Sequence, residues 1–370
     1  MATAIAAADA ESISLLQLCQ ISYVDPAAIP DKFPLAWPLL GGGDWSLAWG
    51  PALDPTQGNL AYVALCSAPG PSGPTGLSLA VVIRGTDFDA PLEGIWTQIV
   101  QDLDADDQQT PPWPAPDGAL IAAGTADALS RVGAMISDGQ SLVEFLADFC
   151  GAAANRQVPI RVTGHSLGGC VTTVLAPWLQ WMLGQQGISP IIVPYTYAAP
   201  TAGNQVFAEA FRSAYPAARC YQNTLDIVPQ AMAQLSEIPL IYRDVGPGLL
   251  APWVLAFAIF GYAWWLTDQG ASYAQIPDSL PLPGTWLTPD GDDPLGPWAD
   301  EAQQQHDTKT YMALLGGTSV TEGEVALLRR SMAAAVPRYQ PPTPTVSGDP
   351  DYAARLAAAA AKLRQGARGR

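Results

Sequence analysis

Pro159-Ile160-Arg161-Val162-Thr163-Gly164-His165-Ser166-Leu167-Gly168-Gly169-Cys170-Val171-Thr172-Thr173-Val174-Leu175-Ala176 is the stretch that decides the fold. Residues 159–163 read as a short buried strand and 170–176 as the opening of an apolar helix. A strand that turns straight into a helix forces the residue at the turn, Ser166, into a strained backbone conformation. Gly164 and Gly168, two positions either side, remove the side chains that would collide there. The Ser166 hydroxyl then stands clear at the top of a sheet, with the backbone N–H of Leu167 aimed at an incoming carbonyl oxygen. That is a nucleophile elbow. The Gly-x-Ser-x-Gly pattern alone is a weak signal; the strand–turn–helix setting strengthens it, and the companion residues decide.

A hydroxyl becomes a good nucleophile when a base takes its proton, and near neutral pH imidazole is the usual base. The chain has two histidines in 370 residues. His165 adjoins the serine, so its side chain leaves the turn in another direction, and it reads as packing or hydrogen bonding under the turn. His306 is then the base by elimination, against the alternative of a surface histidine in the polar run 301–307. The base needs a carboxylate to fix its tautomer. In the chain order serine, acid, histidine, that acid lies between 166 and 306. Asp226 fits, following the expected strand 218–222 and preceding Pro229. Asp244, Asp268, Asp278 and Asp292 compete from irregular stretches, and a turn aspartate capping its own backbone is the plain alternative for Asp226.

Several segments, in order, resemble the class 3 lipases, the family of the filamentous-fungal triacylglycerol lipases. They are the apolar strand 77–83 ending in Arg84-Gly85-Thr86; Trp96 with Asp102-Leu103; the elbow; Tyr195–Tyr197 with Pro200, Gly203-Asn204 and Phe207; Asn223, Asp226, Val228 and Pro229; and His306 with Tyr311. The resemblance covers roughly residues 10–230 and 300–316. It implies an α/β-hydrolase fold, an α/β architecture with a mostly parallel central sheet and flanking helices. It also implies Ser166 as nucleophile, His306 as base and then acid, and Asp226 as orienting carboxylate. Thr86 would share the oxyanion hole with the backbone of Leu167. The implied reaction is acyl transfer from a carboxylic ester, foremost an acylglycerol, to water through an acyl-enzyme, with no cofactor. A phospholipase A1, a short-chain carboxylesterase or an acyltransferase could use the same site. A silent lipid-binding scaffold is the alternative outside enzymes.

The chain departs from that family in places. A His-x-Gly-Phe element is reduced to Gly124 within 121–126, Pro177 should kink the helix after the elbow, and the family's lid position falls on 87–94. The largest departure is an apolar insert at about 245–270, whose run 249–266 carries no charge. That run has the length of a membrane span, but Asp226 and His306 must meet on one side of a bilayer, so a transmembrane span is rejected. Two readings of the insert stand. One is a helix buried against the core or lining the acyl pocket. The other is a helix that dips into a lipid–water interface or covers the site, with Trp253, Trp264 and Trp265 near its ends.

Residues 1–336 read as a single domain, since 49% hydrophobic content over this length buries a large core. Helices are expected at 6–23 and 132–149, the latter with Val132, Met135, Ile136, Val143 and Leu146 inward. Paired strands are expected at 60–66 and 77–83, and loops at 106–118 and 277–300. A proline-rich linker at 337–350 leads to an alanine-rich basic helix or tail at 351–370. A net charge of −17 excludes generic binding to nucleic acid and to anionic membranes. Five unclustered cysteines read as buried thiols. No signal peptide is visible, which favours the cytoplasm over secretion. With both histidines accounted for, no transition-metal site is expected.

Overall fold

The computed structural model describes residues 10–36, 44–55, 58–68, 76–85, 104–287, 296–317 and 319–320. Seven strands form one sheet in chain order: β1 (Trp45–Leu53), β2 (Leu60–Ala68), β3 (Gly76–Ile83), β4 (Pro159–His165), β5 (Ile191–Tyr197), β6 (Arg219–Asn223) and β7 (Leu280–Leu282). The β1–β2–β3 pairs are antiparallel, and every pair from β3 to β7 is parallel. The mostly parallel sheet expected from the sequence is therefore present.

Strand order fixes where the helices lie. Parallel neighbours joined in sequence need crossovers, and crossovers of one hand, taken in sequential order, put all the connecting helices on one face. The described helices are α1 (Ala10–Ile21), α2 (Ala123–Gly133), α3 (Leu142–Gly151), α4 (Leu167–Gly184), α5 (Gln205–Ala214), α6 (Trp253–Asp268), α7 (Pro297–His306) and α8 (Thr308–Leu314), of which α2 to α6 lie within the crossovers. Residues of α2 to α7 join a single apolar cluster with Ala61, Val63, Leu79, Val81 and Ile83. The alternate strand residues Leu60, Tyr62, Ala64, Ala80 and Val82 face the other way, against α1 and α8. The period of two along each strand thus divides the core into two layers.

Helix α1 is buried over all but its first two residues, although it contains several polar side chains. Groups from the sheet bond several of them and two of the helix carbonyls. Tyr197 donates its hydroxyl to the Ser12 carbonyl at 2.5 Å, and Tyr62 donates to the Leu18 carbonyl at 2.7 Å. Trp45 Nε1 donates to Ser14 Oγ at 3.1 Å, and Glu11 accepts from Arg161 Nε and the Tyr195 hydroxyl. Tyr197 and Tyr221 stack beneath the helix with ring centroids 5.5 Å apart. Hydroxyls at the tips of aromatic rings let the layer stay dry without stranding polar atoms.

Several expectations change. The helix expected at 6–23 spans Ala10–Ile21, and residues 6–9 lie outside the described chain. The helix expected at 132–149 instead takes in the end of α2, a two-stranded hairpin pairing Ile136–Ser137 with Gln140–Ser141, and most of α3. Asp138 and Gly139 both have positive φ in the turn of the hairpin, an Asp-Gly hairpin signal. Ser141 and Glu144 then form a reciprocal capping box that starts α3. Val132, Met135, Val143 and Leu146 are buried as expected, but Ile136, on the hairpin, is 57% exposed. Strand β1 was missed because Gly50-Pro51 interrupts its alternation and the pairing slips there. Helix α4 runs through Pro177 unbroken. The loop expected at 277–300 contains β7 and the start of α7. All five cysteines are free and buried, and burial pushes the Cys19 and Cys170 thiols up to about 12. The 337–350 linker, the 351–370 helix and the 87–94 lid position lie outside the described residues.

The apolar insert is α6. Ile259, Tyr262, Trp265 and Leu266 are buried, so one face packs on the core. Trp253, Val254, Phe257, Phe260 and Trp264 point outward, Trp253 with 81% of its surface exposed. One face is therefore buried against the core and the other exposed, and Trp265, expected beside Trp253 and Trp264 at an interface, lies on the buried face. No described helix is long and apolar enough to cross a membrane.

Leu16→Ala, at a fully buried position in α1, should lower the unfolding free energy by about 2–5 kcal/mol. Phe257→Ala, on the outer face of α6, should change it by less than about 0.5 kcal/mol. Urea unfolding followed by circular dichroism measures both.

Candidate active site

Ser166 occupies the turn between β4 and α4 with φ 58° and ψ −132°. A side chain in that region costs about 1–3 kcal/mol and persists where its surroundings fix it. Two glycines supply that fixing. A Cβ on Gly164 would sit 2.3 Å from the Gly168 backbone, and one on Gly168 would sit 2.3 Å from the Ile83 carbonyl. The helix start, the elbow and the end of β3 are therefore in direct backbone contact. Ser166 N–H donates to the Tyr197 carbonyl at 2.9 Å, which ties the turn to β5.

Leu167 opens α4, so its N–H has no carbonyl one turn back within the helix. Gly85 follows the end of β3, and a Cβ there would meet the His165 carbonyl at 2.5 Å and Ser166 Cβ at 3.1 Å. The strand end is thus delivered beside the serine. Thr86, the next residue, lies outside the described residues.

Residues far apart in sequence complete the arrangement. His306 Nε2 lies 2.9 Å from Ser166 Oγ, and His306 Nδ1 lies 2.8 Å from Asp226 Oδ2. With Nδ1–H donating to the carboxylate, Nε2 holds the lone pair and accepts the serine O–H. Asp226 follows β6 in the loop where its Oδ1 accepts the Val228 N–H at 2.9 Å. It is therefore both a turn aspartate and the partner of His306. Asp244 pairs with Arg243 instead, and Asp292 lies outside the described residues.

A second ring of hydrogen bonds holds these groups. Tyr311 donates its hydroxyl to Asp226 Oδ2 at 2.8 Å and accepts the Asn223 N–H at 2.9 Å. Asn223 Nδ2 donates to the Gln305 carbonyl and side-chain oxygen at 2.8 and 2.7 Å. Gln305 Nε2 in turn donates to Glu301 Oε1 at 2.6 Å. Burial, and then the charge of Asp226, hold the Tyr311 phenol well above its ordinary range, so it stays a donor. Burial also raises the Glu301 carboxyl. The sequence reading had Asn223 and Tyr311 only through the family resemblance and missed Gln305 and Glu301. Their spacing of four within the polar run 301–307 was the available signal.

Ser166, Asp226 and His306 are all buried, Ser166 with no accessible surface. This conformation is therefore closed to an ester in solution. His165, also buried, lies on the far side of the His306 ring. Among the described residues no group of histidine, cysteine, aspartate or glutamate is arranged to hold a metal ion.

Residues 80–236 match the profile of the lipase (class 3) family. The chain's structure is similar to that of M37 lipase, at 23% identity and a TM-score of 0.65, covering 88% of this chain and 98% of that one. A triacylglycerol lipase from Penicillium expansum matches at 20% identity and a TM-score of 0.39, over 61% of this chain and 75% of its own. Lip2 lipase from Yarrowia lipolytica matches at 19% identity and a TM-score of 0.41, over 60% and 72%. No curated protein matches the sequence.

Tyr311→Phe removes a donor to Asp226 and strands the buried Asn223 N–H. The expected loss of stability is about 1–3 kcal/mol, read from the urea midpoint with the far-ultraviolet spectrum unchanged.

Proposed function

We propose that this chain is a lipolytic ester hydrolase of the class 3 lipase family, whose profile residues 80–236 match, and that Ser166, His306 and Asp226 are its catalytic triad. One observation carries the reading: an unbroken line of hydrogen bonds from Ser166 Oγ through both nitrogens of His306 to Asp226. The serine hydroxyl attacks the ester carbonyl while His306 Nε2 takes its proton. Asp226 keeps the Nδ1–H tautomer and steadies the imidazolium that forms. The Leu167 N–H and Thr86 receive the oxyanion. His306 then returns the proton to the departing alcohol, leaving an acyl group on Ser166. Water, deprotonated by His306, releases the acid in the second half.

The substrate class we assign is the carboxylic ester of a long-chain acid, an acylglycerol first. Support comes from the outer face of α6, where Trp253, Val254, Phe257, Phe260 and Trp264 offer solvent an apolar surface with no charge among them. A helix of that kind lies in a lipid–water interface with its apolar side down. The chain's net charge of −17 makes that contact apolar rather than electrostatic.

Ser166→Ala and His306→Ala should each lower kcat on p-nitrophenyl esters by about four orders of magnitude or more. Asp226→Asn should lose about the same. Near-normal turnover in His306→Ala would sink the base assignment. Esters from acetate to palmitate, assayed as monomers and as emulsions, test the substrate class. An acylglycerol lipase gains rate above the solubility limit, and a Trp253→Ser/Phe257→Ser/Trp264→Ser variant should lose that gain while keeping its rate on monomeric ester. Saturation by short esters below the limit would make the protein a carboxylesterase, and preference for phospholipid over acylglycerol would make it a phospholipase A1.

A further inference from the structure

We propose that His165 is a positioning residue: its imidazole ties the backbone of His306 to the strand that carries Ser166, and so sets the separation of base and nucleophile. The inference rests on the assignment of His306 as the base.

His165 Nε2 lies 2.9 Å from the backbone carbonyl oxygen of His306. A carbonyl only accepts, so Nε2 must carry the proton and donate. Nδ1 is then bare, and the Tyr23 hydroxyl, 3.3 Å away, donates to it. The tautomer is thus fixed at both ends. Tyr23 and Tyr311 present ring edges to the imidazole at centroid distances of 6.2 and 5.8 Å, while the His306 ring lies tilted at 4.8 Å.

The connection is short in covalent terms. His165 is the last residue of β4 and is bonded directly to Ser166. His306 is the last residue of α7. The imidazole of 165 supplies a donor to its backbone carbonyl. It therefore links the two backbones that must hold Ser166 Oγ and His306 Nε2 at 2.9 Å. A productive arrangement tolerates about 0.5 Å of error, and this bond adds a tie from β4 to the one that Asn223 makes from β6 through Gln305.

The chemistry also demands an uncharged neighbour. His306 becomes an imidazolium each time it takes the serine proton, and a second cationic ring beside it would oppose that step. Burial, and then the proximity of His306, keep the His165 imidazole well below the ordinary histidine range. The ring can donate to the carbonyl without bringing charge.

The test compares His165→Gln with His165→Leu on p-nitrophenyl butyrate. The Gln amide can reach the Nε2 donor position and Leu cannot. His165→Leu should lower kcat by about 10- to 100-fold with KM unchanged, and His165→Gln should recover most of it. Urea midpoints of the two variants should shift alike, separating positioning from stability. Equal kcat in the two variants, or wild-type kcat in His165→Leu, overturns the proposal. A second readout needs no variant at this position. Nitrogen-15 labelling of histidine gives two imidazoles, told apart by His306→Ala. At pH 8 His165 should appear as the neutral Nε2–H tautomer; an Nδ1–H tautomer there overturns the proposal even if His165→Leu does not fold. Full activity of His306→Ala would instead remove the base assignment and leave the tautomer result standing.

Discussion

The close approach of backbone at the elbow is the constraint on which the rest depends. Gly168 lies against the Ile83 carbonyl and Gly164 against the Gly168 backbone, with no room for a Cβ at either place. That contact lets α4 begin at the very end of β4 and holds Ser166 at positive φ. It also brings the end of β3 alongside, so that the N–H at the start of the helix and the residues after Ile83 converge on one point. A strained serine is tolerable because the parallel strands on either side have already fixed the backbone through it.

The second requirement is to bring a histidine from the far end of the chain to that point. Helices α7 and α8 belong to different layers: Trp298, Ala299 and Ala302 pack in one apolar cluster, Tyr311 and Met312 in the other. His306 sits at the joint between them, where the chain passes from one face of the sheet to the other. Asn223, at the end of β6, grips Gln305 on one side of that joint and Tyr311 on the other. Tyr311 then reaches Asp226. The carboxylate and the imidazole are held by the same few residues, so they shift together if they shift at all.

Helix α6 answers to a different pressure. A helix with solvent on one side usually has charged or polar residues there; this one has tryptophan, phenylalanine and valine outward and isoleucine, tyrosine, tryptophan and leucine inward. It is inserted between Asp226 and β7, so the sheet and the site are complete without its outer face. That surface contributes nothing to the core.

The sequence alone determined the elements whose rules are local. The glycine spacing about Ser166 announced the elbow, short apolar runs announced β2 and β3, and a uniformly apolar, uncharged run announced α6. The scarcity of histidine singled out His306 without any geometry. Tertiary structure decided what depends on partners distant in the chain. Periodicity merged the end of α2 with most of α3 because a two-residue Asp-Gly turn hardly disturbs a helical pattern, and β1 escaped notice because its pairing slips at Gly50-Pro51. Asp226 was named from its place after an expected strand, but that Gln305 and Glu301 support the site could be read only from the folded chain. Hydrogen bonds between residues 80 or more positions apart leave no periodic trace in a sequence, since they are set by how the layers pack and not by the spacing of neighbours.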